Sequence, residues 1–259
     1  MVELIISNTH RATNNRLTIK LSTIDRPCNI RVDWGDGTEE IVHSSYYLQH
    51  TYARNRLQKE YSIRLEGNCD ALTFNNPDYK LISINGVLPY IDPSVWNLSL
   101  FLNCKDLIHV GSSIFNDNTD KLSIARMFSG CGSLEGVSDD IFKPLINITS
   151  GYGVFNKTSI KEVGNIFKYN TKLEILQHAF SLNPNLKRIP LNMFNHLTNL
   201  QNIESIFEGC AGIHRIGLPF MRNTKLINAK KAFHNIPNLD PDPNFYRQFP
   251  PNCDVTDIF

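Results

Sequence analysis

Two hydrophobic periodicities divide the chain near residue 73. Before it, apolar and polar positions alternate: Leu17, Ile19 and Leu21; then Ile30, Val32 and Trp34; then Tyr61, Ile63 and Leu65. Alternation places every second side chain on one face, so each run predicts a half-buried strand of an antiparallel sheet. Asp36-Gly37 directly follows the second run and predicts a hairpin-type turn, with the bulky Trp34 anchoring the core.

From Phe74 onward the period is much longer. Phe101, Phe128, Phe155, Phe180, Phe207 and Phe233 are separated by 27, 27, 25, 27 and 26 residues. A second ladder keeps step with the first: Phe115, Phe142, Phe167, Phe194 and Phe220. Six residues after each first-series Phe comes an aliphatic residue (Leu107, Leu134, Leu186, Ile213, Leu239), whereas Phe155 reaches Ile160 after five. Three positions further lie Val110, Val137, Val163, Ile189 and Ile216, and a later aliphatic recurs at Leu122, Ile148, Leu173, Leu200 and Leu226. No unit of this size can bury such side chains alone, so stacked units must share one core. The L-x-x-[V/I] segments, bounded by Gly, Pro, Asn and Ser, predict short strands. Runs such as Leu173–Phe180 and Leu200–Phe207 have helical spacing. The expected fold is therefore an α/β solenoid of leucine-rich-repeat-like, about 26-residue units over 74–259, with a C-terminal cap from about 240. A small all-β sandwich over 1–73 precedes it.

Composition narrows the chemistry. A net charge of +1 argues against general nucleic-acid binding. No apolar run is long enough for a membrane span. The N-terminus Met1–Asn8 lacks the pattern of a signal peptide, so a cytoplasmic or virion-associated location is expected over classical secretion. Of six cysteines, Cys104, Cys131 and Cys210 each lie three residues after a first-series Phe, where other units hold Thr158, Asn183 and Ile236. That register predicts a buried slot for a small, weakly polar side chain, since metal ligands would come as close pairs or with His in step. Asp33 and Asp36 could bind calcium or form an acid–base pair, but turn formation by Asp-Gly is the favoured reading. No G-x-S-x-G, H-E-x-x-H or P-loop motif occurs, so neither an enzyme nor a cofactor is expected.

Two stretches resemble known families. Asp33-Trp-Gly-Asp-Gly-Thr38, followed by His50-Thr-Tyr52 and Tyr61-Ser-Ile-Arg-Leu65, resembles the signature of PKD-type immunoglobulin-like domains. Residues 74–239 resemble the leucine-rich repeats of BspA-type bacterial surface proteins, most closely at Met127-Phe-Ser-Gly-Cys-Gly-Ser-Leu134. The resemblance implies adhesion or partner binding: a bacterial or bacteriophage-associated adhesin or virion-surface component recognising a host protein or glycan. The alternative is an intracellular interaction factor (inhibitor, immunity or effector protein) gripping one partner. In either case the expected contact is the concave strand face, where successive units place Lys161, Lys187, Arg188, His214 and Arg215. That partly basic stripe suits an acidic protein or glycan partner.

Overall fold

A computed structural model describes residues 1–7, 16–22, 29–43, 47–52, 60–69, 71–74, 80–91, 99–115, 123–191 and 193–259. Leu122 of the second aliphatic series lies outside them. The N-terminal strands are β1 (Val2–Ser7), β2 (Arg16–Ser22), β3 (Asn29–Asp33), β4 (Glu39–His43), β5 (Tyr47–Thr51), β6 (Glu60–Cys69) and β7 (Ala71–Thr73). They are followed by β8 (Lys80–Gly86), β9 (Tyr90–Ile91), β10 (His109–Val110), β11 (Arg215–Ile216) and β12 (Asp240–Pro241). One sheet runs in the order β10-β8-β1-β6-β3-β4, with β9 beside β6, and a second in the order β5-β2-β7. Alternation along β1, β3 and β6 buries Val2, Leu4, Ile6, Ile30, Val32, Tyr61, Ile63 and Leu65. Trp34 is buried with them, as an aromatic with a hydrogen-bonding edge should be: its Nε1–H donates to Glu40 at 3.0 Å.

β8 joins this sheet to the repeats. It pairs antiparallel with β1 and parallel with β10, the L-x-x-V segment of the next unit. A regular strand would send Leu81 and Ile84 to opposite faces, yet both are buried. The register shifts between Ile5 and Ile6, which face Ser83 and Leu81, and this bulge leaves Ile82 as the extra residue. It converts the strand's period of two into the three-residue spacing of the repeat. Beyond it both Phe ladders are buried, and first-series rings from Phe74 to Phe233 stack with centroids 5.2–5.7 Å apart. That spacing is slightly more than the separation of hydrogen-bonded strands, so stacked rungs bring the rings into offset contact.

The α/β expectation is overturned. The chain is nearly all-β with a mixed sheet, and no α-helix occurs among the described residues; the sole helical element there is a 3-10 turn at Phe245–Gln248. In the runs read as helices, every other backbone N–H leaves its own rung. Leu176, His178, Phe180 and Leu182 donate to the carbonyls of Asn202, Glu204, Ile206 and Glu208 on the next rung. The residues between them close local turns: Ala179 donates to Leu176, and Ser181 to His178. From Phe128 to Phe233, left-handed residues recur two before and two after each first-series Phe, for example Arg126 and Gly130, His178 and Leu182, Ser205 and Gly209. Each turn advances three residues, so Leu173, Leu176 and Ala179 are buried at a spacing that imitates a helix.

The other corner of each rung is a parallel ladder of bridges through Ser123, Ser150, Ile175, Asn202, Asn228 and Asp254. Small polar side chains suit it: Oδ1 of Asn202, Asn228 and Asp254 accepts the N–H two residues ahead. The C-terminal tail extends the same ladder. Ala229, Lys231 and Phe233 donate to Asp254, Thr256 and Ile258, and the Phe259 ring lies 6.5 Å from that of Phe233.

Where it holds Cys, Thr or Asn, the slot three residues after a first-series Phe supplies a side-chain hydrogen-bond donor, whereas Ile236 after Phe233 cannot. Sγ of Cys131 donates to Phe101 O and that of Cys210 to Phe180 O, both at 3.0 Å, and Cys104 reaches Phe74 O at 3.5 Å. Burial pushes the thiols of Cys104 and Cys210 up to about 12, and that of Cys131 upward as well. A thiolate is the reactive form. Iodoacetamide at pH 8 should therefore leave these three unlabelled in the native protein and label them after unfolding in guanidinium, read by peptide mass spectrometry. Labelling of native Cys131 would show that the slot opens.

Candidate partner-binding site

The five residues expected on the strand face are all exposed, but the structure does not treat them alike. Parallel hydrogen bonds set the column: Lys161 N–H donates to Glu135 O, and Lys187 N–H to Lys161 O. Stacking places Lys161 beside an acidic neighbour, and its Nζ lies 2.6 Å from a Glu135 oxygen. Lys161 is therefore paired and set apart from the rest. Lys187, Arg188, His214 and Arg215 converge on one groove of about 780 Å³. Among the described residues none of these four makes an ion pair.

The groove has an apolar border that the repeat pattern did not reveal. Pro184, Ile189 and Leu191 line it, and Leu191 is 61 % exposed. Gly212 lets the two rungs close at its floor, because a Cβ there would lie 2.6 Å from the Pro184 carbonyl oxygen and 2.7 Å from that of Leu186. Acidic residues stand on both sides of the column. Glu135 and Glu162 belong to earlier rungs, and Asp240 is the backbone register neighbour of Arg215 in the β11–β12 ladder. The basic side chains of this column without ion-pair partners among the described residues are thus confined to two neighbouring rungs.

Asp33 and Asp36 hold the β3–β4 turn. Asp33 Oδ1 accepts Gly35 N–H at 2.9 Å, and Asp36 Oδ1 accepts Thr38 N–H at 3.1 Å and Thr38 Oγ1–H at 2.6 Å. Asp36 Oδ2 lies 2.7 Å from His50 Nε2, and the His50 ring stacks on Trp34 with centroids 4.8 Å apart. Tyr52 Oη–H donates to Trp34 O at 3.0 Å. The separated motifs W-G-D-G-T and H-T-Y therefore meet in one network. Burial alone would raise the Asp36 carboxyl, but the hydrogen bonds from Thr38 and His50 outweigh it and hold the group below the usual carboxylate range. Among the described residues no group of three His, Cys, Asp or Glu side chains is arranged to hold a metal ion, and no helix is long and apolar enough to cross a membrane. Compared with protein-family models, with curated proteins and with solved structures, the chain matches none, so its site is read from its own geometry.

Proposed function

We propose that this chain is a non-catalytic binding protein that takes an acidic segment of a protein partner in the groove of Lys187, Arg188, His214 and Arg215. One observation carries the reading: these basic side chains, without ion-pair partners among the described residues, surround an apolar-bordered groove on two adjacent rungs. Charges left without counter-ions attract an oppositely charged partner and set its register. Pro184, Ile189 and Leu191 add apolar contact of the kind that protein side chains fill and sugars use less well. The resemblance of the N-terminal motifs to PKD-type domains, and of Met127–Leu134 to BspA-type repeats, supports recognition of a host molecule at a bacterial or virion surface.

The probe is a fluorescein-labelled octaglutamate peptide, read by anisotropy at low and physiological salt. Replacing Lys187, Arg188 and Arg215 together by Glu should weaken binding by about 30-fold, whereas Lys161→Glu, whose charge is already paired, should change it by less than about threefold. Equal binding by the triple variant would overturn the proposal. A heparin oligosaccharide held tighter than the peptide would replace the protein partner by a sulfated glycan.

A further inference from the structure

A second groove, of about 480 Å³, runs along the arcs that flank the first Phe series. Its floor contains a glycine that the backbone does not require. Position 153 lies two residues before Phe155 and has φ +56°. The equivalent positions on other rungs are left-handed too, yet they carry side chains: Arg126, His178, Ser205 and Lys231, with φ between 54° and 57°. Crowding does not demand glycine either. A Cβ at 153 would meet Arg126 Cγ at 3.6 Å and Asn156 Cβ at 3.8 Å, ordinary contacts. The effect of Gly153 is to leave out one side chain between Arg126 and His178.

Tyr152 forms the wall of that opening. The Arg126 guanidinium lies 5.2 Å from its ring centroid, and His178 meets the ring edge-on at 5.8 Å. Asn156 is held by its own neighbour, its Nδ2–H donating to Ser181 Oγ at 2.6 Å and Ser181 O at 3.3 Å. Ser129 and Glu208 add a hydroxyl and a carboxylate to the lining, and Asn103 and Lys157 add an amide and an ammonium. Amide, guanidinium, hydroxyl and carboxylate groups thus line one groove together with an aromatic ring, so donors, acceptors and both signs of charge are present. The lining is mixed in charge, with Arg126 and Lys157 against Glu208, and its apolar part is limited to Leu102 and Leu182 beside the Tyr152 ring. A ligand with closely spaced hydroxyls, each able to donate and accept, meets every polar group on offer.

We propose that this groove binds an oligosaccharide, seating about two to three sugar units over Gly153 between Arg126 and His178. This site is separate from the basic groove and does not depend on it. The test uses the intact chain on a printed array of neutral and acidic glycans of two to four sugars. Two substitutions borrow residues that other rungs already hold at the same positions: Gly153→Lys, as at Lys231, and Tyr152→Gln, as at Gln177. The wild type should retain at least one glycan class. Each variant should lose about tenfold or more in affinity for it, with an unchanged unfolding midpoint. Lys187→Glu with Arg215→Glu should retain it fully. If Gly153→Lys fails to fold, Tyr152→Gln alone decides. Wild-type protein that retains no glycan, or correctly folded variants that retain the same glycan as well as wild type, would overturn the proposal.

Discussion

Replacing Phe180 by alanine should lower the unfolding free energy by about 3–5 kcal/mol. Phe180 is fully buried at the middle of the stack. Its ring meets Phe155 at 5.7 Å and Phe207 at 5.4 Å, and Phe167 of the other ladder approaches edge-on at 6.2 Å. Truncation therefore removes contacts in two directions along the stack and one across it. The cavity cannot close, because the rungs above and below are tied together by Phe180 N–H to Ile206 O and Phe155 N–H to Ala179 O. Urea unfolding at constant m-value measures the loss. Phe259→Ala supplies the comparison: the same residue type, 40 % exposed and tilted on Phe245 at 4.9 Å and on Phe233 at 6.5 Å, should cost about 1–2 kcal/mol. Equal costs at the two positions would mean that stacking depth does not govern stability here.

The second large effect falls on a polar residue. Asn183→Leu should destabilise by about 3 kcal/mol, although it makes the core more apolar. Asn183 is fully buried, and its Nδ2–H atoms donate to Phe155 O and Phe180 O, each at 2.7 Å. Its Oδ1 accepts Thr158 N–H at 3.1 Å and the Thr158 hydroxyl. The unit that begins at Phe155 is one residue short, and where Cys104 and Cys131 donate their N–H to Phe101 O and Phe128 O, Thr158 turns to Asn183 instead. Asn183 thus repairs the deletion. Leucine would take the amide donor from Phe155 O and leave Thr158 N–H without its acceptor, and buried backbone groups left unbonded are costly. Asn183→Cys should fall between leucine and wild type, at about 1–2 kcal/mol, because a thiol can still donate to Phe155 O as Cys210 does to Phe180 O. Thermal unfolding of the three proteins should rank them Asn, Cys, Leu. Leucine equal to wild type would remove the amide from any structural role.

Much of this was legible in the sequence for definite reasons. The Phe ladders reveal the stacking because identical rungs can bury large rings only against one another, and each deletion or insertion shifts every later ring. The slot holding Cys, Thr and Asn was legible as buried and weakly polar. That it serves as a donor to the preceding Phe carbonyl was not, because the acceptor lies on another rung. Lys187, Arg188, His214 and Arg215 could be placed on one face from register alone. Lys161 could not be separated from them, because its partner Glu135 is 26 residues away in sequence and adjacent only after stacking.

What the sequence alone determined is the period, the set of buried rings and the alternating strands of the N-terminal sheet, all consequences of side-chain spacing. What only the tertiary structure decided is the conformation between those rings. A buried residue every three positions fits both a helix and a chain of turns, and the two differ in where the backbone N–H groups point. Here every other one finds a carbonyl on the next rung, so the helices foreseen from spacing give way to left-handed corners. Those corners carry Arg126, Gly153 and His178, which a helical reading would scatter over a polar face. The partners of the backbone, which no local pattern records, set the shape of both grooves.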